Sequence, residues 1–133
     1  MINHRSHLQR FWNYGIIFLL LVFQFLISCN TNDYNYRVFV GTYTDNGSEG
    51  IYSIKFNPTT GDVSSVELAA VTDNPSFIAI DQKEQFLYAV NEVDNYDENS
   101  SGAISVYELV KGSGKLNLIQ QVSSLGAHPA HLS

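Results

Sequence analysis

The sequence predicts an all-β chain of propeller type, of which about the first two blades are present, and three observations lead there. A unit of roughly fifty residues recurs: Ile51 and Ile104 are 53 positions apart, and Pro75 and Pro129 are 54 apart. Within each unit, short apolar runs alternate with Gly-, Asn- and Asp-containing turns at the spacing of short strands. No segment carries the 3.6-residue apolar period over three turns, so a fold of alternating strands and helices is disfavoured. A small complete β domain of another kind is the competing expectation.

Residues 1–28 read as a processing segment. Arg5 and Arg10 flank an apolar run, Ile16 to Ile27, broken only by Gln24. Twelve residues at about 1.5 Å each fall short of a hydrocarbon core about 30 Å thick. A basic flank, a short apolar core and a small residue before a cleavage point make an export signal. Its end, Leu26-Ile27-Ser28-Cys29, resembles the lipoprotein signal box, which implies cleavage after Ser28 and lipidation of Cys29. Acyl chains on that residue would anchor the exported protein to a bacterial membrane, on its periplasmic or cell-surface side. Residues 29–36, polar throughout, form the expected tether to a folded domain spanning 37–133.

Within that domain, Val38 to Tyr43 reads as an inner or central strand, closed by the turn Thr44 to Gly50 with its Asn46-Gly47 signal. In Ile51 to Phe56, alternation puts Tyr52, Ile54 and Phe56 on an apolar face and Ile51, Ser53 and Lys55 on a mixed one. Asn57 to Gly61 turns the chain into a strand region from Val63 to Val71. Asp73-Asn74-Pro75 resets direction, because proline forces its predecessor out of the helical region. Phe77 to Ile80 and Phe86 to Val90 form a hairpin. Ala103 to Leu109 follows, and Leu116 to Val122 alternates, with Leu116, Leu118 and Gln120 on one side and Asn117, Ile119, Gln121 and Ser123 on the other.

Charge narrows the partners. All 13 acidic residues lie beyond Cys29, where only Arg37, Lys55, Lys83, Lys111 and Lys115 oppose them. Such a surface repels phosphate backbones, so nucleic acid is not an expected partner. One cysteine gives neither an internal disulfide nor a multi-cysteine metal site.

Four residues stand out for chemistry. Glu92 ends an apolar strand, where a rigid element aims a carboxylate at a loop that admits ligand; it could act as a general base or remain a solvated strand end. Asn91 could hold substrate hydroxyls, although asparagine commonly organises turns through its side chain. His128 and His131 flank Pro129, and imidazole carries protons near neutral pH. Two histidines alone do not make a zinc site, and no cofactor is expected. His131 stands where the preceding unit has Phe77, a departure that marks it above His128. The acidic stretch Asp94, Asp97, Glu98 and Asn99 has oxygen ligands for calcium without the EF-hand spacing, and reads as a hydrated rim.

Taken in order, Val40-Gly41-Thr42-Tyr43-Thr44, Gly50-Ile51-Tyr52, Gly61, Asn74-Pro75-Ser76, Leu87 to Glu92 and Gly126 to His131 resemble the opening of the seven-bladed propeller lactonases. That family includes 6-phosphogluconolactonases of the propeller type and muconate-lactonising relatives. The resemblance implies a domain of seven blades, the remainder lying outside this chain. It also implies a metal-independent hydrolase that opens a sugar lactone with activated water. Glu92 and His131 would line the central cleft as catalytic residues, with Asn91 and His128 as substrate contacts. The arginines expected in such a site have no counterpart here, and Arg37 does not stand in for them. The alternative function is a noncatalytic lipid-anchored propeller that binds a carbohydrate or protein.

Overall fold

A computed structural model describes residues 36–133; the leader, Cys29 and the tether apart from Tyr36 lie outside the described residues. Seven strands form two antiparallel sheets. The first holds β1 (Tyr36–Gly41), β2 (Gly50–Phe56) and β3 (Glu67–Val71), in that order. The second holds β4 (Pro75–Ile80), β5 (Phe86–Asn91), β6 (Ala103–Leu109) and β7 (Leu116–Ser123), again in chain order. This up-and-down meander is the construction of propeller blades, and the two sheets are not closed into a ring.

The sheets pack together, with β1 against β4 and β3 against β7. Ile51 and Ala69 of the first sheet meet Leu87, Ala89, Tyr107 and Leu116 of the second in one apolar cluster. Ile51, Leu87 and Ala89 are fully buried there. Truncating a side chain such as Leu87 would cost about 2–5 kcal/mol, since the lost contacts leave a cavity. Outer faces remain uncovered: Tyr36, Val38 and Val40 alternate outward along β1, and Leu118, Ile119 and Val122 are exposed on β7.

Four expectations change. The region before β3 does not extend from Val63; Val63 makes only an isolated bridge to Phe56, and the ladder begins at Glu67. In β2 the inward face is Ile51 and Ser53, whereas Tyr52, Ile54 and Phe56 are half-buried. A small polar residue is admitted because the Arg37 guanidinium reaches across to the Ser53 hydroxyl at 3.3 Å. In β7, Val106 pairs with Gln120 but Tyr107 pairs with Leu118. Ile119 is therefore a bulge, and the side-chain alternation reverses there, placing Leu118 on the face of Gln121. Tyr36, expected at the end of the tether, is already the first residue of β1.

The registers also align the two sheets with each other. Gly41 pairs with Ile51, and Val90 pairs with Ile104, the repeat equivalent of Ile51. Thr42 therefore corresponds to Asn91, and Tyr43 to Glu92. Among the described residues, the first sheet has no strand in the position of β4.

Candidate functional site

The ends of β1 and β5 and the loops that follow them, together with the β3–β4 connection, enclose an open cleft of about 360 Å³. Thr44, Asp45, Asp73, Asn74, Glu92, Asp94 and His128 line it. Gly41 makes the approach of the sheets possible, since a Cβ there would lie 1.9 Å from the Pro75 carbonyl oxygen. Glycine is required at that position by the close passage of backbone.

Asn74 joins the two walls. Its φ of 39° is left-handed, a region that asparagine tolerates better than most residues. The side-chain Oδ1 accepts from the Thr44 amide at 2.8 Å and from the Thr44 hydroxyl at 3.0 Å. Its main-chain carbonyl accepts from the amides of Ser76 at 2.8 Å and Glu92 at 2.9 Å. One residue thus ties the loop after β1 to the backbone that carries Glu92. Because Oδ1 must face the Thr44 amide donor, the amide orientation is fixed, leaving Nδ2 as a donor without a protein acceptor among the described residues.

The Glu92 carboxylate accepts the Tyr43 hydroxyl at 2.9 Å on Oε2. The Ser76 hydroxyl is buried without a well-formed hydrogen bond and lies beside the same carboxylate. Ser76 and then Tyr43 hold the Glu92 carboxyl below its ordinary value; desolvation opposes them and the nearby His128 adds to the lowering. Reciprocally, the carboxylate raises the Tyr43 phenol. Both effects follow from neighbouring hydroxyls that favour the charged carboxylate, Tyr43 through its hydrogen bond and Ser76 by proximity. Glu92 is therefore ionised throughout the neutral range.

The two histidines separate. His128 lines the cleft, held by its amide to the Val93 carbonyl at 3.0 Å, with Nε2 3.7 Å from Asp94 Oδ2. His131 packs its ring on Phe77, with centroids 4.5 Å apart. No hydrogen bond or ion pair joins His131 to Glu92 among the described residues. Asn91 turns inward. It is buried, donates from Nδ2 to the Thr72 hydroxyl at 2.7 Å and to the Asp73 carbonyl, and accepts from Ser105 at 2.6 Å and Gln121 at 3.3 Å. That network braces the strand end beneath Glu92 and engages both ends of the amide.

The acidic loop after β5 is organised by Asp97, whose carboxylate accepts the Asn99 amide at 2.9 Å and the Ser101 amide at 3.3 Å. The Ser123 and Ser101 hydroxyls hold its carboxyl below the ordinary value. Asp97 is thus a fold-organising residue rather than a freely solvated one. No group of three or more His, Cys, Asp or Glu side chains is arranged to hold a metal among the described residues. Tyr43, Asn74 and Ser76 lie within the motifs that carry the family resemblance, but the sequence does not single them out as site residues. The repeat could have exposed Tyr43, since it occupies the position of Glu92 one unit earlier.

Residues 37–133 match the family model described as lactonase, 7-bladed beta-propeller. The 6-phosphogluconolactonase of Bacillus subtilis is 34% identical over 98 residues, covering 74% of this chain and 27% of that protein. Among solved structures, a candidate 6-phosphogluconolactonase of Bacteroides fragilis aligns with a TM-score of 0.68 at 34% identity, over 77% of this chain and 28% of that one. The periplasmic gluconolactonase of Pseudomonas aeruginosa aligns with a TM-score of 0.64 at 34% identity, over 71% of this chain and 26% of that one. The chain spans about a quarter of the length of these relatives. With two meander sheets in blade-like order and a match running the length of both, it belongs to the seven-bladed β-propeller lactonase family.

Proposed function

We propose that the full-length protein hydrolyses a sugar lactone, and that Glu92 is the carboxylate that aligns the attacking water. The observation that carries this reading is the ionised Glu92 at the mouth of the cleft, fixed by Tyr43 and the Asn74 backbone. Water attacks the ester carbonyl carbon while Glu92 accepts its proton. The tetrahedral oxyanion then collapses, the ring C–O bond breaks, and the departing alkoxide regains a proton to give the open hydroxy acid. A carboxyl held low is a weak base, so an imidazole is suited to carry the proton onward. His128 lines the cleft with Glu92, while His131 is the residue the repeat singles out.

Rates of lactone opening, corrected for spontaneous hydrolysis, test this in the full-length protein. Glu92→Gln should lower kcat by about 10²- to 10⁴-fold with a smaller effect on KM. Comparison of His128→Asn with His131→Asn identifies the imidazole, because only the participating one should depress kcat. Full activity in Glu92→Gln would refute the assignment. Binding of a glycan or protein without turnover of any lactone would favour a noncatalytic propeller.

Export and lipidation at Cys29 belong to the same reading. The leader pattern supports them, and the Pseudomonas relative is named as periplasmic. Labelled palmitate should enter the wild type in a bacterial host and not Cys29→Ser; equal labelling would exclude the anchor.

A further inference from the structure

We infer that Asn74 is a substrate-binding residue whose Nδ2 donates a hydrogen bond to an oxygen of the lactone, an inference that rests on the lactone-hydrolase reading above. The first ground is backbone strain in a repeated place. Asn74 and His128 each stand immediately before a proline, Pro75 and Pro129, and the two prolines are equivalent in the repeat. Proline ordinarily holds its predecessor in the extended region. Both residues are left-handed instead, with φ of 39° at Asn74 and 50° at His128. Both line the cleft. Strain of this kind persists only where the surroundings overdetermine it, and it gathers at ligand sites. Its recurrence in two units, at one cleft, marks the position before the proline as a place where polar side chains are presented to ligand.

The second ground is how the residue is bonded. Oδ1 accepts twice from Thr44, whose hydroxyl in turn accepts the Asn74 amide at 3.3 Å. The main-chain carbonyl accepts from Ser76 and Glu92. Backbone and side chain are both fixed, yet Nδ2 takes no part. Ser76 Oγ is the one buried side-chain polar atom left unpartnered among the described residues, so Nδ2, equally unpartnered, is open to solvent. Asn91 shows the contrast, since its amide is engaged at both ends within the fold. The clasp to Thr44 needs only an acceptor, which a carboxylate would supply as well; the donor is what asparagine adds.

Glu92 and Asn74 complement each other chemically. The ionised carboxylate accepts from water or a hydroxyl and has nothing to donate. The carbonyl and ring oxygens of a lactone carry no hydrogen and call for a donor. Nδ2 is such a donor, held in place before the ligand arrives, so little freedom is lost when the bond forms. The Asn74 carbonyl bonds the Glu92 amide at 2.9 Å, which mounts donor and carboxylate on adjoining backbone. The two residues thus offer one acceptor and one donor to the same ring.

Asn74→Asp separates the clasp from the donor. It keeps the acceptor that Thr44 uses and tolerates a left-handed backbone, but replaces Nδ2 with a second acceptor. In the full-length protein, kcat/KM for gluconolactone should fall by about tenfold or more while the urea midpoint stays near that of wild type. Rates are read on the plateau of the pH profile, where Glu92 is ionised in both proteins, so the added charge does not act through its protonation. Calorimetric affinity for gluconolactam, which keeps the carbonyl and hydroxyl oxygens but resists hydrolysis, should weaken by a similar factor. Wild-type kcat/KM and lactam affinity in Asn74→Asp would overturn the inference and leave the lactonase reading intact. Asn74→Gly suits the backbone and lacks both clasp and donor, so its folded form should lose lactam affinity as well; unchanged affinity there would also overturn the inference. A wild-type protein that neither opens gluconolactone nor binds the lactam would remove the hydrolase reading itself, and this inference with it.

Discussion

Equivalent positions of the two sheets carry different residues, and the differences fall at the cleft. Where the second sheet has Val90, Asn91 and Glu92, the first has Gly41, Thr42 and Tyr43. Tyr43 and Glu92, equivalent by register, hydrogen-bond to each other across the sheet junction. Phe77 and His131, also equivalent by repeat, pack their rings together at a tilt of 52°. Successive units of a meander packed side by side bring like positions together, so a site is made by diversifying one position from unit to unit. The fold supplies proximity, and the substitutions supply the chemistry.

Making the first sheet more like the second should break the junction. Gly41→Val would force a side chain against the Pro75 carbonyl, and overpacking against backbone that cannot yield should cost about 3 kcal/mol or more. Urea unfolding of the full-length protein measures this, and an unchanged midpoint would show that the sheets can separate freely. Asn91 and Thr42 give the next contrast. Asn91→Leu strands the buried Ser105 and Thr72 hydroxyls and should cost about 1–3 kcal/mol. Thr42→Val removes one hydrogen bond, to the Gly50 carbonyl at 2.7 Å, and should cost about 0.5–1.5 kcal/mol. Equal losses would mean that the Asn91 network adds nothing beyond a single bond.

The smallest effect is on pH dependence. Ser76→Ala and Tyr43→Phe each remove a group that lowers the Glu92 carboxyl, so its pKa should rise in both variants. On the proposed reading the ionised carboxylate is the active form, so activity should be lost as pH falls through its pKa. The acid limb of the kcat/KM profile should therefore move to higher pH in both variants. A limb that stays in place would separate Glu92 from the rate-determining ionisation.

Most of the strand plan was legible because each strand carries its own pattern and each turn its own Gly, Asn or Pro. β5, β6 and the turn at Gly61 need no distant partner to be recognised. The errors arose where a neighbouring sheet decides the outcome. Periodicity assigned the inward face of β2 to Tyr52, Ile54 and Phe56, but inter-sheet packing selected Ile51 and Ser53. The bulge at Ile119 reverses an alternation that looks regular in the sequence. Glu92 was legible as a polar residue at the end of an apolar strand. Tyr43, Ser76 and Asn74 were not, because their roles consist of contacts with residues far along the chain.

By itself the sequence determined the repeat length, the strand-and-turn order and the acidic balance of the domain. These are local or summed properties, set by side-chain alternation, turn chemistry and charge count. Tertiary structure decided that Asn91 faces inward and that His128 joins the cleft while His131 rests on Phe77. Those outcomes depend on which strand ends meet across the junction between the sheets, a relation that spacing along the chain does not contain.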